Sequence, residues 1–282
     1  EWTGGDLDAA AAAYDETVRL LQATLAGDPG DRPSRYDLML YATDMADVQL
    51  QRGDASASAS YALLSMQEAD ALLAIDPKLW DYRHGKLVAA NRLGDAKARA
   101  EDAAGALEGY AAMAGIAYQL AAEDPYDTSA AWDYALAMLR TGEQKLALKD
   151  YPAARADLEI AVSMRRWLAD QDAQALQPRR ELGWALQKLA DSHYFVAEYD
   201  AGRPIEEEAL AIFRWVDAQE PGQVWNIVDL ATALDRTASY HSDPMPYFRE
   251  SLALLEGLQA QGTLPDGYQS WIDNYRARLD GN

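Results

Sequence analysis

Residues 48 positions apart in this chain are alike in five registers at once. Stepping through Gly142 gives Ala46, Gly94, Gly142, Ala190 and Ala238, all small. The next position gives Asp47, Asp95, Glu143, Asp191 and Ser239. A third register holds Asp6, Asp54, Asp102, Asp150 and Glu198, acidic at every step and suited to cap a helix that starts there. A fourth, Ala10, Ser58, Ala106, Ala154 and Gly202, is small again. The fifth runs Asp28-Pro29, Asp76-Pro77, Asp124-Pro125, Asp172-Ala173 and Glu220-Pro221, where proline ends one helix and turns the chain toward the next. Small residues at a crossing, an acidic cap and a terminating proline describe a helical hairpin. Self-similarity at a fixed period of this size is the mark of a solenoid.

Met138 to Ala154 shows the unit most plainly: a long helix, a tight turn at Lys149-Asp150, then a second long helix. Leu93-Gly94-Asp95, the turn at Glu101-Asp102, Ala106, Tyr110 and the closing Asp124-Pro125 resemble the small, aromatic and proline positions of the tetratricopeptide repeat (TPR) family. That resemblance implies an all-α fold, a right-handed α-solenoid of antiparallel helix pairs. The period departs from the family's usual 34. The extra length is about four helical turns, roughly two per helix, which resembles a long-helix bacterial variety and is similar in period class to kinesin light chain repeats.

On this reading one domain spans 1–282: a half-repeat (1–33), repeats at 34–77, 78–125, 126–178, 179–221 and 222–265, and a capping helix (266–282). The first element, Asp6 to Ala26, has no partner helix before it, and its stripe of Leu7, Tyr14, Val18, Leu21 and Leu25 would face that helix or the next repeat. The chain is therefore expected to be the C-terminal fragment of a larger protein, with Leu279-Asp-Gly-Asn as its end. The last full repeat is short: Ser242-Asp243-Pro244-Met-Pro246 replaces the usual turn, and Phe248 falls where Tyr110 stands two repeats earlier once about six residues are removed.

Lys+Arg 25 against Asp+Glu 46 gives a net charge of −21, which repels phosphate backbones and anionic lipid and leaves nucleic acid unsuited as a partner. The acidity serves solubility or attracts a basic partner. No run approaches the roughly 18 apolar residues of a membrane span, so membrane insertion is not expected and a cytoplasmic location is favoured. The absence of cysteine removes disulfides, thiolate metal sites and cysteine nucleophiles together.

No catalytic, cofactor or metal site emerges. His84, His193 and His241 form no metal-spaced set, and His193 and His241 share one register a repeat apart. Arg52-Gly53-Asp54 reads as a repeat turn. The chain is expected not to be an enzyme. The family resemblance instead points to the inner, concave face of the first helices, with the pairs Asn91-Arg92, Leu139-Arg140, Gln187-Lys188 and Asp235-Arg236.

The basic register reads Arg92, Arg140, Lys188 and Arg236, and Asp95, Glu143 and Asp191 stand three residues after the first three. One reading pairs each base with that acid on its own helix, worth a few tenths of a kcal/mol. The other is a charge ladder that sets the register of an extended peptide, with Leu136 nearby and Trp184 and Tyr194 as apolar anchors. Acids at Asp95, Glu143 and Asp191 argue against the family's carboxylate clamp. The function implied is a noncatalytic module that binds a protein or peptide, the scaffold or sensor tail of a larger bacterial protein. The alternative is architectural self-association with an empty groove.

Overall fold

The structure, a computed structural model, describes residues 4–280, with side chains from Leu7 onward. The expected cap at Asp6 and the closing Gly281-Asn282 lie outside the described residues. Twelve α-helices and no strand are found among the described residues. Contacts group them into two compact units, Glu1–Lys149 and Asp150–Asn282.

The first unit contains α1 (Gly4–Gly27), α2 (Arg32–Gln51), α3 (Ala55–Leu73), α4 (Trp80–Arg99), α5 (Ala103–Glu123) and α6 (Thr128–Ala147). The second contains α7 (Tyr151–Gln171), α8 (Leu176–Tyr194), α9 (Tyr199–Gln219), α10 (Val224–Ala238), α11 (Met245–Ala260) and α12 (Gln269–Leu279). Within each unit every helix packs chiefly on the helices before and after it, so the fold is an all-α solenoid.

The turns inside the hairpins explain the acidic register. Gly53, Glu101, Lys149 and Ala197 all have positive φ, between 59 and 84°. Each follows the first helix of a pair, and only Gly53 adopts that conformation without a Cβ penalty. The kink lets the next amide reach back five residues, from Asp54 to the Gln49 carbonyl and from Asp102 to that of Lys97, both at 2.9 Å. Asp54, Asp102 and Asp150 then cap the second helices, accepting from the amides of Ala57, Gly105 and Ala153 at 2.9, 2.9 and 3.3 Å. Glu198 departs from expectation and makes no cap. Its longer side chain reaches past its own amides to His193 Nδ1 at 2.9 Å and Arg155 at 2.8 Å, and those partners hold its carboxyl below the usual range.

The connections between hairpins use the same chemistry. Asp28, Asp76, Asp124 and Asp172 each accept a hydrogen bond from the amide two residues on, at 2.9–3.1 Å, closing a local turn beside the proline position.

The small registers are buried: Ala46, Gly94, Gly142, Ala190 and Ala238, with Ser58, Ala106, Ala154 and Gly202. Ala10 is half-buried. In the α4–α5 hairpin the Tyr110 ring lies against Gly94, and a methyl group on Gly109 would stand 2.6 Å from the Gly94 nitrogen. The α1 stripe faces the next hairpin, where Val18 and Leu25 pack with Leu38 and Leu64. In the shortened α10–α11 pair, Phe248 shares a core with Ala231, Ala238, Ile272 and Tyr275, the last two from α12.

Gly109→Ala has only backbone to push against and is expected to cost about 1–3 kcal/mol. Gly115→Ala, whose methyl meets nothing within 4 Å, is expected to be neutral or stabilising by up to about 1 kcal/mol. Urea denaturation of the pair checks this, and equal midpoints would contradict it. Ala197→Gly and Glu101→Gly are expected to raise the urea midpoint, by up to about 1 kcal/mol each, as the left-handed strain is relieved.

Candidate functional site

The first-helix residues singled out from the sequence are all half-buried except Tyr194, 36% exposed at the end of α8. Their charges are already engaged. Arg92 on α4 lies 3.4 Å from Asp47 on α2 and 3.6 Å from Asp95 on its own helix. Asp95 also accepts from the Tyr110 hydroxyl at 2.8 Å; burial and that carboxylate push the phenol's pKa up. Arg140 lies 3.1 Å from Glu143. Arg236 on α10 reaches back to Asp191 on α8 at 2.7 Å, to the Gln187 carbonyl at 2.7 Å and to Glu206 on α9 at 3.2 Å.

Pairing with the acid three residues on therefore describes Arg140 and half of Arg92, and fails for Arg236. Arg92 and Arg236 instead bind the first helix of the preceding hairpin. Two of the proposed apolar residues are also occupied. Leu136 packs against the cluster of Leu87, Met113 and Ala117. Trp184 lies under the Arg180 guanidinium at 4.9 Å and hydrogen-bonds Asp229, which also holds Arg180 at 2.6 Å. Asn91 and Lys188 are half-buried on α4 and α8, and the Asn91 Oδ1 is enclosed with no hydrogen-bond partner among the described residues.

Glu206 carries no sequence signal. It is fully buried, bonded to Arg236 and Gln187. Burial pushes its carboxyl up to about 7, with Asp191 adding and Arg236 opposing. Burial works against the Arg236 charge, yet Glu206 and Asp191 together raise its pKa.

Open clefts lie between first helices of adjacent hairpins. One of about 180 Å³ between α8 and α10 is lined by Asp191, Tyr194, Phe195, Asp235, Arg236 and Tyr240. Phe195, Val196 and Tyr199 extend an exposed apolar surface from its rim, at 55, 41 and 43% exposure. A second, about 470 Å³, brings Asp95 and Arg140 together beside Leu50 and Arg99. A third, about 230 Å³ between α2 and α4, holds Tyr36, Leu40, Asp44, Trp80, Asp81 and His84, none of them among the site residues expected from the sequence. One signal could have found it. Asp44 is the basic register continued one repeat toward the N-terminus, where the charge changes sign.

Each histidine faces an acid: His84 lies 3.6 Å from Asp133, His193 2.9 Å from Glu198 and His241 3.2 Å from Glu207. No metal-holding group of His, Asp or Glu occurs among the described residues, and no described helix is long and apolar enough to cross a membrane.

This geometry defines a TPR-like α-solenoid, and solved structures with that fold resemble it along their length. BtubC (BKLC) from P. vanneervenii matches with TM-score 0.62 and 16% identity, covering 100% of this chain and 94% of that one. A signal transduction ATPase with numerous domains (STAND) with a tetratricopeptide repeat sensor, PH0952 from Pyrococcus horikoshii, matches with TM-score 0.61 and 12% identity, over 95% of this chain and 37% of that one. The nearly identical TPR-like repeats of a putative kinesin light chain from Podosopora anserina match with TM-score 0.53 and 16% identity, over 80% of this chain and 98% of that one. At these identities the likeness is one of fold. No family model matches the sequence. No curated protein matches it either.

A carboxyl that ionises near 4.5 in the open chain and near 7 when folded binds more protons in the folded state. The stability it contributes is complete below about 4.5 and is lost as pH rises through about 7. Wild type is therefore expected to gain melting temperature relative to Glu206→Gln as pH is lowered from 8 to 5. Parallel profiles for the two proteins would contradict this.

Proposed function

We propose that the chain is a noncatalytic protein-interaction module of the TPR family, in the long-helix bacterial variety with a 48-residue period. It acts as one domain with the repeats bounded as read from the sequence, and it binds a peptide or partner domain along its first helices. It serves as the scaffold or sensor tail of a larger cytoplasmic bacterial protein. The observation that carries this reading is the run of exposed aromatic and aliphatic side chains beside open clefts, at Tyr194, Phe195, Val196 and Tyr199. Large apolar side chains clustered in solvent mark a contact surface, and these contribute nothing to the helix crossings. The sensor role named for the repeats of the Pyrococcus protein supports the same reading by fold.

Arg92, Asp95, Arg140, Glu143, Lys188, Asp191 and Arg236 then set the shape and potential of the binding face, with Asn91, Leu136 and Trp184 supporting it from beneath. Tyr194, with Phe195, is the anchor. Phe195→Ala with Tyr199→Ala is expected to abolish capture of specific partners from a native lysate while circular dichroism and melting stay unchanged. Capture by the double variant equal to wild type would sink the reading. Sedimentation of wild type across a wide concentration range separates the self-association alternative: a concentration-dependent oligomer lost in the same variant would replace partner binding with assembly.

A further inference from the structure

The cleft between α2 and α4 differs from the other two in charge. Its lining has two carboxylates, Asp44 and Asp81, and no lysine or arginine. Neither carboxylate hydrogen-bonds or ion-pairs with another described residue. The nearest compensating charge, Arg92, is committed to Asp47 and Asp95. Asp44 is held above the usual carboxylate range by its enclosure and by Asp47, with Arg92 opposing.

Beside these acids stand Tyr36 and Trp80. Trp80 is 47% exposed although its indole stacks on His84, with ring centroids 4.4 Å apart and planes within 9°. Ionised carboxylates next to an open aromatic face form the arrangement that attracts an organic cation, through charge and through the ring quadrupole.

The surroundings select among cations. Leu40 and Leu79, 41% and 38% exposed, stand beside the acids and Trp80 and offer apolar contact to residues flanking the charge on a polypeptide. A second copy of the chain would bring another net charge of −21 to the same place, and two such surfaces repel. We propose that this cleft is the docking point for an arginine or lysine side chain on an extended partner segment. The proposal rests on the interaction reading above and gives that partner its chemistry: basic, with an apolar neighbour. The cation sits over the exposed part of Trp80 and its charge is met by Asp44 and Asp81, while the flanking residue lies on Leu40.

The partner itself is not required for the test. A random peptide library displayed on phage is selected on the full chain, and a recovered peptide is labelled for anisotropy titration. The expected peptides carry arginine or lysine beside an apolar residue. Their affinity is expected to fall about tenfold in Trp80→Ala and in the isosteric Asp44→Asn. It should change less than twofold in Asp170→Asn, which alters net charge equally at an exposed acid elsewhere.

Recovery of acidic or uncharged peptides overturns the proposal. Equal losses in Asp44→Asn and Asp170→Asn do the same, because the attraction would then be diffuse. Peptides that ignore Trp80 and depend on Phe195 remove this cleft and leave the interaction module standing. Recovery of no peptide counts against both.

Discussion

Two helices in a hairpin can approach closely only where one of them presents no side chain, and the rest of this architecture depends on that allowance. Gly94 and Gly109 meet backbone to backbone in the α4–α5 pair, and the Tyr110 ring fills the space that a side chain at Gly94 would take. The alanines and serine in the same registers of other hairpins permit a similar but less intimate approach. The crossing fixes which faces look outward, so it also decides which first-helix residues line the clefts. Hydrophobic burial supplies the driving force, while the small residues decide the geometry in which it is collected.

The acidic composition has structural work to do before any partner is considered. Aspartates close the turns between hairpins, cap the second helices and hold arginines from neighbouring hairpins. Glutamate cannot always replace them. Glu198, one methylene longer, leaves its helix uncapped and binds His193 and Arg155 instead. Against this background Asp44 and Asp81 stand apart, because the local structure makes no use of their charge.

Helices, turns and crossings are legible in the sequence because each is set by chemistry within a few residues and then repeated. The aspartate caps at 54, 102 and 150 follow from residue type and spacing alone. The site is less legible, because its contacts join different hairpins. Arg236 binds Asp191 and Arg92 lies beside Asp47, each pair 45 positions apart, whereas a reading confined to one helix looks three residues ahead. Glu206 gives no signal, since burial of a charged residue on a second helix depends on what crosses it. Nothing periodic marks Trp80, whose register continues as Thr128, Leu176 and Val224.

Each helix in a unit depends mainly on the one before and the one after it. Such a fold has no single keystone whose removal collapses everything at once. Tension applied to a unit's ends would peel hairpins away in sequence, and each released hairpin could zip back onto the remaining stack. Mechanically the chain is closer to a spring with discrete coils than to a rigid block.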